Sequence, residues 1–392
     1  MVDEDLHVCF LLHRPYPGGL TSPEEYARHL ARAGVEVTVV AGAHGDGVGE
    51  RDRTGDRSTP EGVTVHRVPS RSFDKASFEP ARFALRALRV ARRVDRERPI
   101  DVLHTLAFPD LGPVLVPPPW VDVGAPVLVD VRTGATRNRA FNLVSKAAIR
   151  LQARLADAVV AIDGHVAADV LGRRDVPIVP LGVDRERFAP APARDPARAK
   201  AEVGLDPAST VLGYVGTLRS VRRLHRVVEA FGRVADRHPD AELVLVGEGD
   251  GRPRMEAVAE AHGVRSRVRF PGRVPYESVP EYLRAFDVGL AYVPDQPQHR
   301  YQPPLKTVES LACGVPVLAT DTPGNRRFVT DGENGLLAPE SPEGYAAGIE
   351  RLLADPGARA AYAERAPGSV ERFDYGRIVA EDLLPVYRSL AR

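Results

Sequence analysis

The sequence predicts an α/β protein made of two doubly wound, Rossmann-like domains. Three observations predict it. Short continuous Val/Leu/Ile runs alternate with longer amphipathic stretches, the pattern of parallel strands covered by helices on both faces. The series starts again after a Pro/Ala-rich connection, FAPAPARDPARA at 188–199. The length, 392 residues, suits two domains of ordinary size.

Taken in order, HVCFLL, EVTVVAG, VTVHRV, DVLHTL, PVLVDV, AVVAI and PIVPL read as the strands of the first series. SPEEYARHLARAG and FALRALRVARRVDRERP carry helical spacing between them. The Gly/Asp/Arg-rich stretch from Gly42 to Gly55 reads as a mobile surface loop. The second series runs VLGYVG, AELVLVGEG, VRFPG, VGLAYV, PVLAT and GLLA, with LHRVVEAFGRVADRHP and SVPEYLRAFD among its helices. YQPPLKTVESLACGVP (301–316) is a loop that enters a helix at a proline pair and stops at Gly314, as proline at the start and glycine past the end favour. YGRIVAEDLLPVYRSLAR closes the chain as a last helix. The expected domains are 1–188, completed by the final helix at 373–392, and 189–372.

Hydrophobic content of 43% and charged content of 27% fit a soluble globular protein. The net charge is zero, which argues against a nucleic-acid partner. Cys9 and Cys313 sit far apart in apolar contexts and read as reduced core residues of a cytoplasmic protein. No apolar run reaches the roughly 20 residues that span a bilayer. The start, MVDEDLHVCFLL, is acidic before its apolar run, unlike a secretory signal.

Ligands of open parallel sheets bind beyond the carboxyl ends of the strands, and two such sheets facing each other would leave a cleft for them. The residues at those ends are therefore the candidates. Gly18 and Gly19 follow the first strand, without the spacing of a dinucleotide fingerprint, which disfavours a nicotinamide oxidoreductase. His104, Asp130 and Arg132 end later strands of the first domain, whereas His165 reads as a capping or surface residue. In the second domain, Gly216 is followed by Arg219, Arg222 and Arg223, where guanidinium groups can clamp phosphate oxygens. Gly247, Glu248 and Gly249 follow the next strand, and Gly272, Arg273 and Val274 the one after. Lys306 lies in a first helical turn, where backbone N–H groups already favour an anion. Glu309 lies one turn on and either holds a ribose hydroxyl pair or forms a surface ion pair with Lys306. No metal-ligand cluster and no Ser-His-Asp arrangement stands out, and the pair Asp3 and Asp5 lies at the terminus. Arg82, Arg86, Arg89, Arg92, Arg93 and Arg96 share a helix with Phe83, Leu85 and Leu88, a basic amphipathic surface suited to anionic lipid or simply to solvent.

The segments PLGVDRERF (180–188), YVGTLRSVRRLHRVVEAF (214–231), LVLVGEGDGR (243–252), VRFPGRVPYESVPEYLRAFDVGL (268–290) and LKTVESLACGVPVLAT with DGENGLL (305–337) together resemble the family 4 retaining glycosyltransferases of the GT-B fold. The resemblance implies two Rossmann-like domains facing a central cleft, a donor site in the second and a last helix that returns to the first. It implies transfer from a nucleotide diphosphate sugar, a UDP-sugar first and a GDP-sugar second, to an acceptor hydroxyl, with no metal and no cofactor. Carried onto this chain, Arg222 matches a lysine on the donor diphosphate, and Thr217 stands where the family has an arginine, for which Arg219 would substitute. Glu309 matches the last glutamate of a Glu-x7-Glu motif, on the ribose, while Tyr301 stands at the first. The backbone of Pro304, Leu305 and Lys306 would approach the diphosphate, and that of Arg273 and Val274 the base. Asp130 and Arg132, with His104, would face the acceptor; Arg132 stands near the place of a histidine in many members. The implied catalytic set is Asp130, Arg132, Arg222 and Lys306. The departures at Thr217 and Tyr301 also leave room for a non-catalytic sugar-nucleotide binder, and the fold hosts epimerases and phosphorylases. Acceptor and oligomeric state are left open, with peripheral contact at the inner membrane face among the expectations.

Overall fold

The computed structural model describes residues 6–13, 15–16, 22–43, 56–59, 61–69, 79–107, 123–132, 139–191, 195–297 and 299–391. The chain divides into two compact units, Met1–Leu181 with Tyr375–Arg392, and Gly182–Asp374. The first division falls before 188 because Val183 bridges Asp374 and, like Phe188, is buried in a core of the second unit.

Among the described residues seven strands build the first sheet: β1 (His7–Leu12), β2 (Glu36–Ala43), β3 (Asp56–Ser58), β4 (Thr64–Pro69), β5 (Val102–Leu106), β6 (Val127–Val131) and β7 (Ala158–Ala161). Their order is β3-β4-β2-β1-β5-β6-β7, parallel except for β3, which pairs antiparallel with β4 at the edge. The sheet turns at β1, whose neighbours are β2 on one side and β5 on the other. Successive side chains of β1 point to opposite faces, as a strand requires. Val8, Phe10 and Leu12 join a core under the helix Ser22–Arg32 and the last helical segment. Cys9 and Leu11 join a second core under the helices Glu79–Glu97 and Arg139–Leu155. Both cysteines are buried and free, and burial pushes each thiol up to about 12.

Two details depart from the sequence expectation. PIVPL forms no strand; its one ladder contact is an isolated bridge from Ile178 to Ala161, and side chains of Arg132 and Tyr26 bond its carbonyls at Val179 and Pro180. Pro177 and Pro180 have no N–H to give a ladder, which explains it. Ala43 and Gly42 extend β2, so the expected loop begins later; residues 44–55 lie outside the described part.

The last segment runs through Tyr375–Ile378, a wide π turn at Val379–Leu383, and Leu384–Leu390. Pro385 lacks the N–H that would bond back four residues, and the wide turn precedes it. Ile378, Val379, Leu383 and Tyr387 from this segment are buried in the core of the first unit.

The second unit holds β8 (Thr210–Val215), β9 (Ala241–Val246), β10 (Val268–Gly272), β11 (Val288–Ala291), β12 (Val317–Thr320) and β13 (Gly335–Ala338). The order is β10-β9-β8-β11-β12-β13, all parallel. Helices His225–Val234, Arg252–Ala261 and Pro342–Ala354 cover one face, and Val279–Arg284 and Leu305–Ala312 the other. The order reverses between β8 and β11, the place where doubly wound sheets leave a crevice for ligands.

Candidate functional site

Four loops of the second unit meet at this reversal. After β8 the chain passes through Gly216 at φ 146°, and after β9 through Gly247 at φ 134°. Gly216 N–H donates to Val246 O at 3.0 Å, and Gly247 N–H to Gly272 O at 2.8 Å, so the three loop starts are stitched side by side. A Cβ on Gly247 would lie 2.0 Å from Gly216 O, which only glycine avoids. Leu218 N–H donates to Glu248 O at 2.8 Å, and the Glu248 side chain is exposed. Arg273 is exposed and Val274 half-buried after β10.

The fourth loop enters the helix Leu305–Ala312. Pro304 caps it in an extended conformation, and the helix ends at Cys313 before Gly314 at φ 78°. The first-turn N–H groups, of Leu305 and Lys306, have no helical carbonyl to reach. Behind the turn, Thr307 Oγ1 donates to Asn325 Oδ1 at 3.0 Å, and Asn325 Nδ2 donates to Ala291 O and Thr320 O at 3.0 and 2.9 Å. This buried polar clamp fixes the helix against β11 and β12.

Lys306 Nζ lies 4.7 Å from the centre of the Tyr214 ring, and its Cε would be 3.3 Å from a Cβ on Gly216. The ammonium thus rests on an aromatic face directly over a bare strand end. Among the described residues no carboxylate lies within 4.0 Å of it. The surface pair with Glu309 does not form. Glu309 is buried, its Oε1 accepts from Tyr276 Oη at 2.8 Å, and burial pushes its carboxyl above the ordinary value against the pull of that bond and of Lys306.

The arginines separate by role. Arg223, at φ 53°, and Arg226 both reach Glu340, at 3.5 and 2.8 Å. Arg219 and Arg222 carry no such ion pair among the described residues. Arg219 is exposed and Arg222 half-exposed on the turn Ser220–Arg222. Burial and then the Arg222 charge hold His299, on the loop that leads to Lys306, below its ordinary value. Tyr301, on that loop, lies under Arg300 with 5.4 Å between guanidinium and ring centre, and Thr217 is exposed.

In the first unit, His104, Asp130 and Arg132 also come together, but with their bonding groups largely committed inward. Arg132 Nε donates to Asp130 Oδ2 at 2.6 Å, Nη1 to Val179 O at 3.1 Å, and Nη2 to Tyr26 Oη, whose own hydroxyl donates to Pro180 O at 2.9 Å. His104 Nδ1 meets Tyr387 Oη at 2.6 Å, and its ring stacks on Phe10 with centroids 4.7 Å apart. His104 Nε2 stands 3.5 Å from Asp130 Oδ2. His104 and Asp130 are fully buried. Burial raises the Asp130 carboxyl, but Arg132 and then His104 pull it below its ordinary value; burial holds His104 low as well. This is an internal network that ties the last helix to the sheet. Gly18 and Gly19 lie outside the described residues.

The sequence did not reveal Tyr214, Tyr276, His299 or Asn325 as parts of the site. Only the strand-end position of Tyr214, two residues before Gly216, offered a signal. His165 is exposed beside Asp163, whose Oδ1 accepts from Val166 N–H at 2.7 Å as the actual cap. On the basic helix Glu79–Glu97, Phe83 and Leu88 are buried against the sheet, so the face expected to meet lipid is already used. No described helix is long and apolar enough to cross a membrane.

Comparison with known proteins bears on both units. The model of glycosyl transferases group 1 matches residues 196–368, and that of glycosyltransferase family 4 matches residues 18–187. A D-inositol 3-phosphate glycosyltransferase of Corynebacterium urealyticum is 30% identical over 250 residues, 62% of this chain and 56% of that one. Its counterpart in Acidothermus cellulolyticus is 35% identical over 221 residues, 54% of this chain and 47% of that one. The chain spans about half the length of the curated relatives it matches. Among solved structures, sucrose-phosphate synthase of Thermosynechococcus elongatus superposes with a TM-score of 0.75 at 20% identity, covering 98% and 99% of the two chains. Anabaena HepE in complex with UDP gives 0.73 at 18% identity, covering 98% and 100%.

Proposed function

The chain belongs to the family 4 glycosyltransferases of the GT-B fold, and from that premise we propose that it transfers a sugar from a nucleotide diphosphate sugar to an acceptor hydroxyl. A UDP-sugar is the favoured donor, in keeping with the UDP held by HepE. The reading is carried by Lys306, a half-buried cation in a first helical turn, over the bare end of β8, with no carboxylate within 4.0 Å among the described residues.

Breaking the anomeric C–O bond leaves negative charge on the departing diphosphate. Lys306, Arg222 and the open N–H groups of Leu305 and Lys306 would stabilise that charge, and fixed donors aimed at developing charge are the strongest catalytic device such a site has. Arg219 would reach the same anion from solvent. Glu309, held by Tyr276, would take the ribose hydroxyls. The loops at Glu248 and at Arg273–Val274 would border sugar and base. With protein cations neutralising the diphosphate, the reaction needs no metal. Retention follows if the acceptor attacks from the leaving-group face and the diphosphate takes its proton. Asp130 and Arg132 would act from behind, as supports of the first unit.

Titration of UDP into wild type and Lys306→Ala, followed by assay of UDP-sugar turnover with an acceptor panel, tests this. Tight UDP binding that weakens in the variant, with acceptor-dependent UDP release, is expected; unchanged binding in the variant would remove the assignment. The departures at Thr217 and Tyr301 favour a second reading, a binder of sugar nucleotides without turnover. It would show the same titration and no release with any acceptor.

A further inference from the structure

The described residues expose five large apolar side chains, and four of them lie on one helix of the first unit, Arg139–Leu155. Leu143 is 70% exposed, Val144 69%, Leu151 43% and Leu155 54%. Leu143, Ala147, Leu151 and Leu155 recur every four residues, so they form one stripe along the helix. The inward face is made by Ser145, Ile149 and Gln152, which are buried. The stripe is therefore not core that failed to pack but a second apolar face on a helix already seated.

The charge carried by the helix itself has one sign, although Lys146 Nζ is paired with Asp169 Oδ1 at 2.7 Å. RAFNLVSKAAIRLQARL contains four cations and no acid. Arg150 and Arg154 are exposed beside the stripe, and Arg150 Nε is steadied by a 2.9 Å bond to Val170 O. The helix Glu79–Glu97 packs on the same face of the sheet and carries six arginines against three acids, with Arg82, Arg89, Arg92 and Arg96 exposed. Leucines bordered by arginines, on a helix too short of apolar residues to span, is the pattern of an element lying in the plane of a membrane surface.

We propose that the helix Arg139–Leu155 docks the first unit onto an anionic lipid surface, with Leu143, Val144, Leu151 and Leu155 entering the acyl boundary and Arg150 and Arg154 meeting headgroups. The docking face differs from the one the sequence suggested, because Phe83 and Leu88 are spent on the core. The proposal is independent of the donor chemistry in the second unit.

Co-sedimentation with vesicles tests it, using equal parts phosphatidylglycerol and phosphatidylcholine against phosphatidylcholine alone. The full chain should bind the anionic vesicles and release from them as salt rises. The triple variant Leu143→Ser/Val144→Ser/Leu151→Ser should bind roughly tenfold more weakly or worse, since each lost buried CH₂ matters. Arg154→Ser should lose roughly fivefold, an effect confined to low salt. Unchanged melting temperatures would confirm that both variants fold. Absence of binding, equal binding by the triple variant, or a dimer in sedimentation velocity that the triple variant dissolves while vesicles bind nothing, would each overturn the proposal.

Discussion

The Lys306 ammonium stands 4.7 Å above the centre of the Tyr214 ring, with Gly216 beneath its last methylene. Tyr214 sits on β8 and Lys306 at the head of a helix 92 residues later, so the two meet only because β8 and β11 flank the reversal of the sheet. The ring gives the cation a place to rest without neutralising it, which leaves its charge for a ligand.

Removing that charge should cost most. Lys306→Ala is expected to lower kcat/KM by about 10²–10³-fold, the range for one electrostatic contact made to a developing charge. Steady-state kinetics with UDP-sugar would check it; a variant within a few-fold of wild type would deny Lys306 the role.

Losing the ring should cost less. A cation–π contact is worth about 0.5–2 kcal/mol, so Tyr214→Leu should weaken UDP binding by about 2–30-fold while Lys306 remains. Calorimetric titration of the single variants and of Tyr214→Leu/Lys306→Ala would show non-additive losses, because both changes act on one cation. Strict additivity would mean that the ring contact does not position Lys306.

Gly216→Ala is a sharper probe. At φ 146° an alanine is strained by about 1–3 kcal/mol, and its methyl would press on the Lys306 side chain at 3.3 Å. UDP affinity should fall toward that of Lys306→Ala, with a melting temperature lower by a few degrees. Wild-type affinity in a destabilised variant would separate backbone strain from ligand binding.

Tyr276→Phe deletes the hydroxyl that donates to Glu309 and leaves a buried carboxyl with one bond fewer, a loss of about 1–3 kcal/mol. Burial already raises the Glu309 carboxyl, and without that donor it should rise further. Nucleoside diphosphate binding should therefore weaken as pH is lowered toward 5 in the variant before it does so in wild type. Superimposable pH profiles of Kd would contradict the coupling.

Acid should loosen the first unit in two stages. His104 is held below its ordinary 6.5 by burial, so the unfolded chain takes up this proton before the folded one does; stability is complete above pH 6.5 and declines below it. Asp130 ends below its ordinary 3.8, against burial, through Arg132 and His104; its contribution is present above pH 3.8 and disappears as pH falls through the folded value. Melting temperature against pH should slope less between 7 and 5 in His104→Asn than in wild type. Identical slopes would show that His104 does not carry the first stage.

The strands were legible because buried parallel strands are apolar on both faces and so form unbroken runs. Two exceptions have plain reasons: the prolines of PIVPL remove ladder donors, and β3, with the polar sequence DRS, is an edge that shows no apolar signal. At the site, glycines and cations at strand ends could be read directly, since Lys306 and Gly216 announce themselves by residue type and place. Their supports could not. Tyr276 meets Glu309 across 33 residues and Asn325 meets Thr307 across 18, contacts that no local pattern encodes. For the same reason helix 79–97 and helix 139–155 look alike in sequence, although one buries its apolar face and the other keeps a second one bare.

The residues from Tyr375 onward finish a core that began at Leu6. On the ribosome, the stretch up to Leu181 must wait for the stretch from Tyr375, whereas Gly182–Asp374 is continuous and has everything it needs once translated. Nascent chains should therefore gain protease resistance in the middle before they gain it at the start. A stop codon placed at Tyr375 should leave the central stretch intact in partial digests and surrender the amino-terminal one.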